Sequence, residues 1–145
     1  MADQPQSYAN HARIDPWYHY GAFGLLTVAF FVPVIRLFRH PGQPLDLWPV
    51  VISLGVLITW LKVRTYALRV QDRIIRLEET LRMQALLPEE LKGRISELKP
   101  GQFVALRFAA DAELAHRMAE ALKEDLKGGE IKKRIQNWRA DTFRV

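Results

Sequence analysis

The run from Trp17 to Ile35, WYHYGAFGLLTVAFFVPVI, passes nineteen residues without a formal charge, and LF follows directly after Arg36. Wound as a helix at about 1.5 Å per residue, such a run covers a bilayer hydrocarbon core of roughly 30 Å. A secretory leader is the obvious rival. No basic segment precedes the run, however, and it ends in RLFRHPGQP, not in a small-residue cleavage site. The sequence therefore predicts a retained transmembrane helix over residues 17–38.

A second run, Leu47 to Leu61, LWPVVISLGVLITWL, has fifteen uncharged residues, a length that also suits a buried helix of a soluble core. Its flanks favour lipid. Trp48 and Trp60 mark its ends, Trp17 and Tyr18 mark the start of the first span, and Lys62 and Arg64 can snorkel outward to lengthen it. Between the spans, RLFRHPGQPLD is a short turn with two prolines and a glycine, as a helical hairpin requires.

A hairpin puts both termini on one side. Near the spans that side carries Arg13, Lys62, Arg64, Arg69, Arg73 and Arg76, whereas the turn carries Arg36 and Arg39. The termini are therefore expected in the cytoplasm. The charge is segregated along the whole chain: residues 1–61 hold three Lys/Arg against three acids, and residues 62–145 hold eighteen against thirteen. The absence of cysteine excludes disulfides, thiolate metal sites and cysteine nucleophiles.

Beyond Leu61 the apolar residues Val63, Ala67, Val70, Ile74, Leu77 and Leu81 recur at spacings of 4, 3, 4, 3 and 4. That spacing puts them on one stripe of a continuing helix. From Val50 to Leu87 only Gly55 interrupts good helix formers, which predicts one helix of about 57 Å, lipid-solvated at first and amphipathic later. Three partners suit the stripe: the chain's own tail, a second copy in a parallel coiled coil, or another protein. We place the tail first and self-association next, because a 58-residue tail has a thin core by itself.

Residues 88–145 read as short helices. Pro88 opens one in LPEELKGRISEL, where Leu91, Ile95 and Leu98 share a face, and another starts after Pro100. In DAELAHRMAEALKEDL, Asp111 is placed as N-cap, with Leu114, Met118, Leu122 and Leu126 on one face and Gly128 and Gly129 as the stop. A last helix, EIKKRIQNW, aligns Ile131, Ile135 and Trp138 opposite Lys132, Lys133 and Arg134. It suits a cover for the tail's core, or a helix lying on the inner leaflet.

The segments YANHARIDPWYHY (8–20), RTYALRVQDRIIRLEETLR (64–82), LKPGQFVALRFAADAEL (98–114) and IKKRIQNWRADTFRV (131–145) resemble a family of small bacterial membrane proteins known only as a domain of unknown function. The resemblance implies two spans and a cytoplasmic helical tail, and supplies no activity, substrate or cofactor. It also implies that His11 and His19 belong to the family's motif, while Asp15 does not.

Few residues point to chemistry. His11, Asp15 and His19 stand at i, i+4 and i+8, a metal-ligand spacing on a continuous helix, but Pro16 reads better with Asp15 as a helix start. Lys62, Arg64, Arg69 and Arg73 crowd the helix just beyond the span, where anionic lipid headgroups are nearer than any nucleic acid. Asp72 with Arg76 and Glu78 with Arg82 are spaced as i, i+4 ion pairs. Trp138, Arg139 and Arg144 make a candidate docking surface, since Trp and Arg are favoured interface anchors. No phosphate loop, HExxH or GxSxG motif occurs, so no catalytic, cofactor or metal residue is assigned.

The sequence thus predicts an all-α inner-membrane protein. Its parts are a cytoplasmic segment (1–15), a transmembrane hairpin (16–61, spans 17–38 and 46–61, turn 39–45), an amphipathic extension (62–87) and a helical tail (88–145). Its expected role is that of a scaffold or accessory subunit of a membrane complex, not an enzyme, whose partners are the bilayer and another complex or further copies of itself. The alternative is an oligomeric pore in which Ser53, Thr59 and His19 line a path.

Overall fold

The computed structural model of the chain describes residues 6–11, 14–40 and 47–141. Arg13, the turn residues 41–46 and Arg144 lie outside them. The described residues are helical, with no strand and one isolated antiparallel bridge between Ala109 and Trp138. The elements are a π-helical opening Trp17–Ala22, α1 (Phe23–Arg39), α2 (Leu47–Leu86), α3 (Glu89–Lys92), a 3-10 turn Ile95–Glu97, α4 (Pro100–Leu106), α5 (Asp111–Lys123) and α6 (Gly128–Arg134). Contacts divide the chain into two compact units: Arg13–Ala67, and Leu68–Val145 together with Met1–Ala12.

In the unit Arg13–Ala67 the first helix starts where the sequence places it. The Asp15 carboxylate accepts the backbone N–H groups of Trp17 (3.0 Å) and Tyr18 (3.2 Å), and Pro16 follows as the first helical residue, where its missing N–H costs nothing. The Tyr18 ring stacks on Trp60 at 4.6 Å and its hydroxyl donates to the Trp60 carbonyl at 3.1 Å. Phe23 meets the same indole at 5.7 Å.

The helix α2 runs forty residues, about 60 Å, with Pro49 tolerated in its first turn. Its Thr59, Thr65 and Thr80 hydroxyls each donate to the carbonyl four residues back, so these hydroxyls are satisfied within the helix. The last turns of α2 belong to the tail unit, whose core is built on Met83, Phe103, Leu106, Phe108, Leu114 and Met118, all fully buried.

Two contacts organise that unit. Buried Gln102, in the first turn of α4, accepts the Lys99 N–H through Oε1 (2.8 Å) and donates through Nε2 to the Leu126 carbonyl (3.0 Å). It thereby closes its own helix start and ties it to the segment after α5. At Gly128 the backbones of α4 and α6 come so close that a Cβ would stand 2.7 Å from the Gly101 carbonyl oxygen. Gly128 is required for close approach, and it opens α6; α5 has already ended at Lys123. The two glycines are therefore not the stop that the sequence suggests.

The chain then returns in extended form. Ala110 N–H donates to Asn137 O (2.9 Å) and Arg139 N–H to Phe108 O (2.8 Å), framing the Ala109–Trp138 bridge. Glu113, buried in α5, accepts the backbone N–H groups of Gln136 and Asn137 and pairs with Arg117. Because the chain is held extended here, α6 stops at Arg134, short of the expected helix through Trp138. Ile131 and Ile135 are buried nonetheless, so this segment covers the tail's core.

The expected docking face of α2 is corrected. Ile75, Glu79 and Met83, followed by Leu87, are buried against the tail, whereas Val70, Ile74, Leu77 and Leu81 are 57, 51, 62 and 63% exposed. At 100° per residue the two rows lie on opposite sides of the helix. The tail selects the face whose buried carboxylate it can satisfy: Glu79 binds Arg82 (2.9 Å) and Arg139 (3.1 Å). Arg82 also reaches Asp111 (2.6 Å) and the Ala109 carbonyl (2.7 Å). This network replaces the expected Glu78–Arg82 pair. It also takes the Asp111 carboxylate, and Ala110, not Asp111, stands at the N-cap of α5.

Candidate interaction surface

The residues with expected roles fall into four places. The apolar stripe is bare. Val63, on α2 within the unit Arg13–Ala67, is 57% exposed, and Val70 to Leu81 continue in the same state on the tail unit's part of the helix. Each of these side chains leaves half or more of its surface in solvent, which a folded domain tolerates singly but seldom as a contiguous row.

The basic group beyond the second apolar run is split in use. Lys62, Arg69 and Arg73 are exposed, whereas Arg64 lies over the Tyr18 ring at 5.6 Å and is partly covered. Of the aromatic anchors, Trp17 and Trp48 are 85 and 64% exposed, while Tyr18 and Trp60 are partly buried against each other. Free indoles at one set of positions and a locked pair at another were not distinguishable from residue type.

Trp138 and Arg139 both make contacts within the tail unit, although Arg139 stays half exposed. The Trp138 ring packs on Phe108 (5.0 Å) and His11 (5.7 Å) and donates Nε1–H to the Ile135 carbonyl (3.2 Å). Arg139 holds Glu79.

His11 belongs to this cluster and not to a row with Asp15 and His19. Its Nδ1 lies 2.7 Å from the Tyr8 carbonyl and its Nε2 3.2 Å from Lys132 Nζ; donation from Nδ1 leaves Nε2 to accept from the ammonium. His19 Nδ1 lies against the backbone of Asp15 instead, 2.8 Å from its carbonyl. Among the described residues no group of three metal-ligating side chains converges.

One cleft was not foreseen. A hollow of about 340 Å³ in the tail unit is lined by Arg76, Thr80, Gln84, Lys92 and Ser96 over the Phe103 ring. The Arg76 guanidinium stands 5.6 Å from that ring, and Lys92 is paired with Glu89 at 2.7 Å. Its cations are thus already engaged, and the lining comes from four separate elements, so no sequence spacing announces it.

The family model for DUF6526, a family of unknown function, matches residues 1–145. The chain belongs to this family. No curated protein and no solved structure matches it. Membership in DUF6526 carries no activity.

Proposed function

We propose that the chain is a membrane-anchored, non-enzymatic interaction protein. It is read as a transmembrane helical hairpin in the bacterial inner membrane with both termini in the cytoplasm, acting as a scaffold or accessory subunit.

The observation that carries the reading is the union of the two chain ends. The segment ahead of the first apolar helix folds with the segment after the second. Gln6 Nε2 donates to the Asp141 carbonyl (3.4 Å), Asp141 N–H donates back to Gln6 Oε1 (2.8 Å), and His11 packs on Trp138. A chain that leaves one folded unit and returns to it crosses a bilayer an even number of times.

Two helices, Trp17–Arg39 and Leu47–Leu86, are long and apolar enough to cross, and 0 and 6% of their most apolar windows are buried. A soluble core helix of that composition would be covered by protein, so exposure favours lipid. Six basic residues flanking the spans on the side of the termini, against Arg36 and Arg39 in the last turn of α1 at the other side, favour the cytoplasm. Exposed Lys62 and Arg69 then meet anionic headgroups. The role in interaction rests on the bare face of α2.

Single-cysteine labelling tests the topology, since the chain has no cysteine of its own. An impermeant maleimide should reach Ser7→Cys and Glu124→Cys only from the cytoplasmic face, and Gln43→Cys only from the outside. Labelling of the first two from opposite faces would refute the hairpin. Native-particle mass with identification of co-purifying chains then tests the scaffold role; a monomer with no companion would sink it.

A further inference from the structure

The bare stripe of α2 has a heptad phase, and we infer that its occupant is a second copy of the same chain, packed as a parallel two-stranded coiled coil. Direction is taken from the membrane topology proposed above: two copies inserted the same way run parallel.

Ala67, Ile74 and Leu81 fall at heptad position a, and Val63, Val70 and Leu77 at position d. Positions b, c and f point away from the seam of such a coil. Ile75, Met83 and Glu79 occupy b, c and f, and these are the residues that the tail covers. The tail thus covers the outer face of α2 over Ile75–Met83 and leaves Val70, Ile74, Leu77 and Leu81, at a and d, exposed.

Charge identifies the occupant as this chain itself. In a parallel dimer a residue at g faces the residue five positions later, at e, on the other helix. Arg73 stands at g and Glu78 at e, so each copy's Arg73 meets the Glu78 of the other, twice by symmetry. Within the chain neither residue makes an ion pair among the described residues, although their neighbours Glu79 and Arg82 are fully engaged. Upward, the next a position is Trp60, already stacked on Tyr18, which ends the seam at Val63. The seam is short, at the lower limit of about three heptads. Confinement to one membrane raises the effective concentration of the two copies.

A cysteine scan of the full chain in native membranes, under mild oxidation, tests the seam. Val70→Cys, Ile74→Cys, Leu77→Cys and Leu81→Cys should give cross-linked dimer, and Arg69→Cys and Asp72→Cys, at outward positions, should give little. Arg73→Glu, read in the Leu77→Cys background, should lower the dimer roughly fivefold, because two contacts turn repulsive. Adding Glu78→Arg should restore it.

Cross-linking that is flat along the helix would overturn the proposal. So would adducts of the same period with a different protein, or a double charge exchange that fails to rescue. Carbonate extraction of the same membranes reads the anchor separately. Chain retained in the membrane with a flat scan refutes the dimer alone; chain released by carbonate refutes the anchor whatever the scan.

Discussion

Gly128 lies against the carbonyl oxygen of Gly101 so closely that a Cβ on it would stand 2.7 Å away. The obstacle is backbone, so no rotamer change relieves it. Gly128→Ala is expected to push α6 from α4 and to lower tail stability by about 1–3 kcal/mol. Thermal unfolding of the full chain in a native membrane mimic measures it. Gly129→Ala, with open space around the added carbon, is the control and should be nearly neutral; equal losses at both positions would refute the close-packing argument.

Glu113 makes the tail sensitive to acid. Burial by itself pushes this carboxyl up, but the N–H groups of Asn137 and Gln136 and the Arg117 guanidinium outweigh it and hold the group below the usual range. Glu120 is lowered likewise, first by its hydrogen bond to Arg117; desolvation opposes this, and Arg134 adds to the lowering. A depressed carboxylate contributes stability that is complete above its unfolded pKa, about 4.3, and is lost as pH falls through the folded value. Tail melting should therefore be level near neutrality and fall below roughly pH 4. Glu113→Ala should cost about 1–3 kcal/mol at pH 7, removing the acceptor of the Gln136 and Asn137 N–H groups and of Arg117 Nε, and should flatten the acid limb. An unchanged limb would sink the assignment.

Arg82 joins α2 to the tail through geometry as much as charge. It binds Glu79, Asp111 and the Ala109 carbonyl at once, using Nε and both terminal nitrogens. Lysine keeps the charge but has no planar fork to span three acceptors. Arg82→Lys is expected to lose most of what Arg82→Ala loses, about 2–3 kcal/mol, because Glu79 remains buried with Arg139 alone. Hydrogen exchange at residues 108–111 should accelerate in both variants. Wild-type protection in the lysine variant would reduce the contact to simple ion pairing.

How far the sequence could be read follows from which signals are local. The capped start at Asp15–Pro16, the forty-residue α2 and the short helices after Pro88 and Pro100 are written in neighbouring residues. The tail's docking face was not, because hydrophobicity draws the eye to Ile74, Leu77 and Leu81. The face in use contains Glu79, whose carboxylate is paired by Arg82 one turn on and by Arg139, sixty residues away. Trp138 misled for the same reason: an aromatic near a chain end resembles an anchor until His11, from the other end of the chain, is found beside it. Non-local partners decide between the faces of a helix, and a single sequence does not name them.

The pairing of the two chain ends leads to the last expectation. His11 rests between Phe108 (5.8 Å) and Trp138 (5.7 Å), and these two rings meet each other more closely, at 5.0 Å, so Trp138 serves the core as well as the N-terminal segment. Trp138→Ala should therefore cost more than His11→Ala, about 3 kcal/mol against about 1 kcal/mol, since it removes a partly buried indole from core and N-terminal segment alike. In His11→Ala the Ala109–Trp138 bridge should keep its hydrogen-exchange protection while residues 6–11 lose theirs; in Trp138→Ala both should be lost. Equal losses in the two variants would mean that the N-terminal segment is part of the tail's cooperative core, and that its removal unfolds the unit instead of releasing a strap.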